Sequence, residues 1–209
     1  MKRLVVFGDS IAFGQGVSLH LGWVAKLSKS VDETFEGQVL IVNSSINGNT
    51  THDALNRIAY EIQNPGADVV IIQFGLNDCN YWITDKGLPR VSIPSFRANL
   101  QEIIARCFHF GASKVFLVTN HPTDRRVTFD HAPVTYEESS KVYNTEIRKV
   151  ANFDDRIELI DIEKIFLEKF NYGGTRMHLL DDGLHLSVHG HEVYADSIIQ
   201  LVIDHLKKL

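Results

Sequence analysis

The amino-acid sequence predicts a three-layer α/β/α sandwich, with helices on both faces of a parallel sheet. Short apolar runs rich in β-branched residues alternate along the chain with longer segments of helical periodicity. The runs are apolar at consecutive positions, which is typical of strands buried on both faces. The chain of 209 residues, with 44% hydrophobic and 22% charged residues, has the size and composition of one globular domain covering residues 1–209.

The predicted elements follow one another in a regular order. Strands are predicted at residues 4–7, 39–42, 69–74, 115–119 and 157–160. Helices are predicted at residues 21–31, 51–63, 95–110, 136–151 and 188–206. Within residues 95–110, Leu100, Ile103 and Cys107 recur at the spacing of one helical face. Strand–helix–strand units of this kind imply right-handed crossovers, which bring the carboxyl ends of the strands to one edge of the sheet.

Two connections are longer than a simple turn requires. Residues 76–94 and residues 120–135 each follow a predicted strand and show no clear periodicity. Loops beyond about 12–15 residues in a compact domain are usually functional, and ligands bind beyond the carboxyl ends of parallel strands. We therefore expect Tyr81, Trp82 and His121 to line a substrate cleft at this edge of the sheet, with a plain packing role as an equal alternative for Tyr81 and Trp82.

Charge and cysteine content disfavour several classes of protein. The chain carries 21 Lys and Arg against 26 Asp and Glu, without clustered positive charge, so nucleic acid is not an expected partner. No apolar run approaches the roughly 18 residues of a spanning helix, so membrane insertion is not expected either. Cys79 and Cys107 are predicted to be reduced thiols, and the four-residue apolar run at 4–7 is too short for a signal peptide. We predict a cytoplasmic protein.

Chemically distinctive residues follow the first three predicted strands and precede the last helix. These segments are Gly8-Asp9-Ser10, residues 43–48, residues 75–78 and residues 181–185. Together they supply a hydroxyl, backbone amides next to glycine, a side-chain amide, and a carboxylate three residues before an imidazole. The crossovers predict that all four segments meet at one edge of the sheet.

These are the groups that acyl transfer requires. The Ser10 hydroxyl is a poor nucleophile at neutral pH unless a base such as His185 lies next to it. A carboxylate that binds the second ring nitrogen orients the base, and the i, i+3 spacing allows Asp182 to do so. The Gly48 amide, unhindered by a Cβ, and the Asn77 side chain are candidate donors to an oxyanion.

In their order along the chain, these residues resemble the conserved blocks of the SGNH (GDSL) hydrolase superfamily. The matching residues are Gly8-Asp9-Ser10, Gly48, Gly75-x-Asn77-Asp78 and Asp182-x-x-His185, which span residues 8–185. The resemblance implies a flavodoxin-like fold with a five-stranded parallel sheet. It also implies Ser10 as nucleophile, His185 as base, Asp182 as the orienting carboxylate, and an oxyanion hole made by the amides of Ser10 and Gly48 with the Asn77 side chain. The implied reaction is cleavage of carboxylic esters, of the esterase, lysophospholipase, thioesterase or O-deacetylase type, without a cofactor or metal. The absence of a strict amphipathic segment favours a small-molecule ester as the substrate.

Two departures from the family pattern are small. Ile11 stands where many members have leucine, and residues 186–190 lack the proline common there. Ser187 is a suitable N-cap for the last helix, so the loop before that helix is expected to keep its geometry. Asp181 is a rival for the orienting role, but its offset from His185 is four residues and we prefer Asp182.

Two other functions remain possible from the residues alone. One is a metal-assisted hydrolase using Asp182, His185, His189 and His191. It is disfavoured because His189 and His191 are two positions apart and cannot share a helical face. The other is a non-catalytic binding module on the same fold.

The remaining polar residues receive structural interpretations. Asp9 is predicted to bond local backbone, Asp78 to brace its loop, and Arg125 with Arg126 to form a solvated charge pair. Six further histidines are predicted to be surface or loop residues: His20, His52, His109, His131, His178 and His205. A dinucleotide site is disfavoured because the third glycine of GxGxxG is missing at Leu19.

Overall fold

Five parallel strands form the sheet in the computed structural model, which describes residues 1–170 and 175–209. The strands are β1 (Lys2–Gly8), β2 (Val39–Asn43), β3 (Val69–Gln73), β4 (Lys114–Val118) and β5 (Ile157–Ile160). Their spatial order is β2-β1-β3-β4-β5. This is the flavodoxin-like order, so the predicted fold class is confirmed.

Burial differs between the central and edge strands. Strands β3 and β4 are buried almost throughout, as is β1 from Leu4 onward, whereas β2 is half-buried or exposed at four of its five positions and β5 is half-buried at two of its four. The expectation that every strand is buried on both faces is therefore wrong for the two edges. An edge strand has a neighbour on one side only, and the flanking helices cover it less completely.

Seven α-helices surround the sheet in the described residues. They are α1 (Ser10–Phe13), α2 (Trp23–Phe35), α3 (Thr51–Ile58), α4 (Ile93–His109), α5 (Tyr136–Ala151), α6 (Ile162–Lys169) and α7 (Val188–Leu206). Helices α2, α6 and α7 pack together, and α3, α4 and α5 form a second group. Right-handed crossovers place these groups on opposite faces of the sheet, which gives the three layers.

Helix boundaries differ from the predicted ones at a few places. The bounds of α5 and α7 match the prediction, whereas α3 ends at Ile58 and continues as one π-helical turn at Ala59–Gln63. Helix α6 was not predicted, because eight residues are too few for a clear periodic signal. Its N-cap is Asp161, whose carboxylate accepts a hydrogen bond from the Lys164 amide at 3.2 Å.

The turn after β1 is anchored by a buried tryptophan. Trp23 stacks on Tyr194 of α7, with ring centroids 4.9 Å apart, and its indole N–H donates to the Ile11 carbonyl at 3.1 Å. This contact joins α2, α7 and the short helix α1, and so fixes the place at which β1 leaves the sheet.

Both cysteines are buried and unpaired. Cys79 lies in the loop after β3 and Cys107 on the inner face of α4. Burial raises the pKa of the Cys107 thiol to about 12. Among residues 1–170 and 175–209, no helix is long and apolar enough to cross a membrane.

Gly190 allows the first turn of α7 to lie directly against the backbone of His178. A Cβ at position 190 would stand 2.2 Å from the His178 carbonyl oxygen. We expect Gly190→Ala to lower the free energy of unfolding by about 1–3 kcal/mol, because α7 must shift to relieve this overlap. Urea denaturation measures the change. Asp196→Ala, at an exposed position of the same helix, should change stability by less than about 0.5 kcal/mol, and equal stability of the two variants would contradict the close approach.

Candidate active site

Ser10 lies at the tight turn between β1 and α1. The Asp9 carboxylate caps α1 by accepting a hydrogen bond from the Ile11 amide at 2.9 Å, which confirms its predicted local role. Gly8 is needed for the turn, since a Cβ there would lie 2.8 Å from the Ala12 Cβ and 2.9 Å from the Gln73 carbonyl oxygen. The turn leaves the Ser10 side chain at the carboxyl edge of the sheet, 7% exposed.

A continuous hydrogen-bonded line joins Ser10, His185 and Asp182. The Ser10 Oγ lies 2.9 Å from the His185 Nε2, and the His185 Nδ1 lies 2.5 Å from the Asp182 Oδ2. The second carboxylate oxygen of Asp182 accepts from the amides of Leu184 and His185, each at 2.9 Å. Asp182, and not Asp181, is therefore the carboxylate that faces the imidazole. Burial alone would raise the pKa of Asp182, but these hydrogen bonds outweigh it and hold the pKa below its usual value.

Two side chains from the loop after β4 hold the Asp182–His185 turn. The Arg125 Nε donates to the Asp182 carbonyl at 3.0 Å, and the His121 Nε2 donates to the Leu184 carbonyl at 2.8 Å. Arg125 thus supports the loop, while Arg126 pairs with Asp124, so the predicted solvated charge pair is wrong for Arg125.

His121 does not line the cleft as predicted. Its side chain has no exposed surface, and burial lowers its pKa to about 4, so the ring is neutral. The ring instead stabilises the Asp182–His185 turn through its hydrogen bond to the Leu184 carbonyl. The signal that could have found this role is weak, because a histidine after a strand is equally compatible with an exposed position.

The Gly48 loop and Asn77 lie next to one another. The Asn77 Nδ2 donates to the carbonyl of Asn49 at 3.1 Å, which joins the loops after β2 and β3. Gly48 has a φ of 78°, and a Cβ there would meet no protein atom within 4 Å. Its backbone conformation, and not close packing against the protein, is what favours glycine at this position.

Two buried carboxylates lie behind these loops. Asp78 accepts hydrogen bonds from the Thr51 amide at 2.9 Å and from its hydroxyl at 2.5 Å, which ties the loop after β3 to the start of α3 and confirms the bracing role. Burial raises the pKa of Asp78 to about 6. Burial, with a smaller contribution from the nearby Asp78 charge, raises the pKa of Asp9 to about 7.

Tyr81 and Trp82 line a small cleft between the two long loops. Its volume is about 190 Å³, and its walls are Tyr81, Trp82, Ile83, Thr128, Phe129, Asp130 and His131. The Arg90 guanidinium lies 4.0 Å from the centre of the Trp82 ring, and its Nη1 donates to the Gly48 carbonyl at 3.1 Å. The cleft therefore adjoins the Gly48 loop. A larger cavity of about 570 Å³, between the ends of α4 and α5, contains none of the predicted site residues.

The four residues of the metal alternative are not assembled into a ligand set. His189 is exposed and lies 3.6 Å from the Glu192 carboxylate, whereas the His191 Nδ1 accepts a hydrogen bond from the Trp23 amide. Over the described parts of the chain, no three His, Cys, Asp or Glu side chains are grouped as a metal site. Six histidines are predicted to be surface or loop residues. A surface position is wrong for His178, because its side chain is buried and its ring stacks on Phe170.

Comparison with known proteins identifies the family to which this fold belongs. Residues 6–193 match the GDSL-like lipase/acylhydrolase family, and the chain belongs to this family. It is accordingly a carboxylic ester hydrolase.

Individual relatives cover most of the chain. Esterase TesA of Pseudomonas aeruginosa is 28% identical over 88% of this chain and 79% of its own length. An arylesterase of Vibrio mimicus is 26% identical over 98% of this chain and 90% of its own length. The crystal structure of a lipase/acylhydrolase from Enterococcus faecalis superposes with a TM-score of 0.74 at 27% identity, covering 98% of this chain and 97% of that one.

The raised pKa of Asp9 predicts a pH-dependent change in stability. The folded protein keeps a proton on Asp9 up to about pH 7, whereas the unfolded chain loses it near pH 4, so stability declines as pH rises through this window. Asp9→Asn removes that decline. We expect the unfolding free energy of the variant, relative to wild type, to increase by about 1–3 kcal/mol between pH 5 and pH 8. Urea titrations across this range measure it, with the exposed Asp155→Asn as control; a pH-independent difference would contradict the prediction.

Proposed function

We propose that the protein hydrolyses carboxylic esters through a covalent acyl intermediate on Ser10. The observation that carries the proposal is the continuous line from the Ser10 hydroxyl through the His185 ring to the Asp182 carboxylate. The serine hydroxyl lies 2.9 Å from one nitrogen of the imidazole ring, and the other ring nitrogen faces a carboxylate. This is the arrangement that activates a serine as a nucleophile.

The reaction proceeds in two halves. The Ser10 Oγ attacks the ester carbonyl carbon while the His185 Nε2 accepts the hydroxyl proton, and Asp182 stabilises the resulting imidazolium. The tetrahedral intermediate collapses, the carbon–oxygen bond to the alcohol breaks, and His185 returns the proton to the departing alkoxide. A water molecule, deprotonated by the same ring, then attacks the acyl–Ser10 ester and releases the acid and the free serine.

Three donors are proposed to stabilise the oxyanion that forms in both halves. They are the backbone amides of Ser10 and Gly48 and the side-chain amide of Asn77. Support comes from the hydrogen bond that joins Asn77 to Asn49, because it keeps two of the three donors on adjoining loops. Loss of one such donor typically lowers the rate by about 10²–10³-fold.

The cleft between the two long loops is proposed to hold the ring-bearing part of a small ester. Tyr81 and Phe129 pack against each other in its wall, with ring centroids 4.8 Å apart, and Trp82 lies against Arg90. Its volume of about 190 Å³ suits one ring and not a long acyl chain.

The cytoplasmic location predicted from the sequence stays a proposal, for which fractionation of cells producing the protein is the test.

Replacement of the nucleophile tests the mechanism. We expect Ser10→Ala to reduce turnover of p-nitrophenyl acetate by about 10⁴-fold or more and to abolish stoichiometric labelling by a fluorophosphonate. Ser140→Ala, which also removes a buried serine hydroxyl, is the matched control and should retain activity and labelling. Turnover that survives Ser10→Ala and is lost with a chelator would favour the metal alternative. Ligand binding without turnover of any ester would favour a binding module.

Removal of the Trp82 ring tests the proposed substrate cleft. We expect Trp82→Ala to lower kcat/KM for phenyl acetate about tenfold and for methyl acetate less than twofold, because only the former places a ring in the cleft. The control is Tyr60→Ala, which removes an exposed aromatic ring on the turn after α3. Equal losses on both esters would contradict a ring-binding role.

A further inference from the structure

Arg57 reaches from α3 into the space behind the Gly48 loop. Its side chain is 13% exposed, and its guanidinium donates to three separate segments of the chain. The Nη2 donates to the Gly8 carbonyl at 3.3 Å, the Nη1 to the Ser44 carbonyl at 2.5 Å, and the Nε to the Asn49 Oδ1 at 2.7 Å. One rigid group thereby contacts the ends of β1 and β2 and the loop that follows β2.

Two of these contacts, those with Gly8 and Asn49, lead to the three proposed oxyanion donors. Gly8 is two residues before Ser10, and Asn49 directly follows Gly48. The carbonyl of Asn49 also accepts the hydrogen bond from the Asn77 Nδ2 at 3.1 Å. Arg57 therefore binds Asn49, which is the sequence neighbour of Gly48 and the hydrogen-bond partner of Asn77. It also binds Gly8, which lies two positions before Ser10.

The charge of Arg57 is balanced in part by a carboxylate on the following turn. Glu61, one turn further along, lies 3.8 Å from the Nη1, and the ring of Phe7 lies 4.3 Å from the guanidinium carbon. The hydrogen bonds of the guanidinium go to neutral oxygens, namely two backbone carbonyls and one side-chain amide. A planar guanidinium can reach three such oxygens at once in a fixed geometry, whereas the ammonium group of lysine cannot.

We propose that Arg57 is a positioning residue, which sets the relative places of the Ser10 amide, the Gly48 amide and the Asn77 side chain. This inference rests on the proposed acyl-serine mechanism. Oxyanion stabilisation depends on donors that are already in place before charge develops, and a displacement of about 1 Å can cost about 10²-fold in rate. Arg57 contacts neither the substrate nor the reacting atoms, so its contribution should appear in the chemical step and not in substrate binding.

The experiment combines two variants with a matched control. Arg57→Lys keeps the positive charge but loses the three-way geometry, and Asn49→Ala removes only one acceptor of Arg57 and leaves the carbonyl that binds Asn77. We expect kcat for p-nitrophenyl acetate to fall about 10²-fold in Arg57→Lys and about tenfold in Asn49→Ala, with KM changed less than threefold. The double variant should lose no more than Arg57→Lys alone, because both changes act on the same contact.

Arg148→Lys separates positioning from general stability. Arg148 is also partly buried and binds Asp161 and Glu163 with its guanidinium, but it lies outside the site. This variant should lose stability while keeping kcat within about twofold. A trifluoromethyl ketone, which mimics the tetrahedral intermediate, should bind Arg57→Lys more weakly in proportion to the loss in kcat.

The outcomes distinguish this inference from the mechanism on which it rests. If Ser10→Ala is inactive but folded Arg57→Lys keeps kcat within twofold, the positioning role is overturned and the mechanism stands. If Arg57→Lys does not fold, Asn49→Ala decides the matter alone, and an unchanged kcat there overturns the role. If Ser10→Ala remains active, the proposed mechanism itself is wrong.

Discussion

The reversal of strand order at β1 is the constraint on which the site depends. β1 lies between β2 and β3, so the chain leaves it in one direction to form β2 and crosses back to form β3. All five strands are parallel, and their carboxyl ends therefore meet at one edge, where the reversal opens a crevice. Ser10, Gly48 and Asn77 follow β1, β2 and β3, three adjacent strands, and this adjacency brings them together although they are far apart in the sequence.

The loops at this edge are held by buried polar groups that reach from one loop to another. Asp78 binds the start of α3, His121 binds the turn that carries His185, and Arg57 binds the loop that carries Gly48. Each group forms at least one hydrogen bond with a backbone atom of the loop it holds, which offsets part of the cost of removing it from water. The proposed mechanism uses these contacts to keep its groups in position before substrate arrives, as electrostatic stabilisation of a transition state requires.

The rim of the crevice has a different character from its floor. The floor consists of buried strand ends and short, tightly bonded turns, whereas the rim consists of the two long loops, with exposed side chains such as Trp82 and Val127. Arg90 connects the two levels, since it binds the Gly48 carbonyl and lies against Trp82. In the proposed function, the rim selects the ester and the floor carries the chemistry.

The sequence by itself determined the fold class and the order of strands and main helices along the chain. It also identified Ser10, Asp182 and His185 as candidate residues. These features depend on periodicity and local spacing, which involve only near neighbours in the chain. The i, i+3 relation of Asp182 and His185 is such a local feature, and their contact appears in the structure at 2.5 Å. Only the tertiary structure decided that His121 is buried, that Arg125 supports the Asp182 turn, and that Arg57 joins three segments. These contacts link residues between 8 and 63 positions apart, and their geometry is set by the crossovers and the packing of whole elements, which no local pattern encodes.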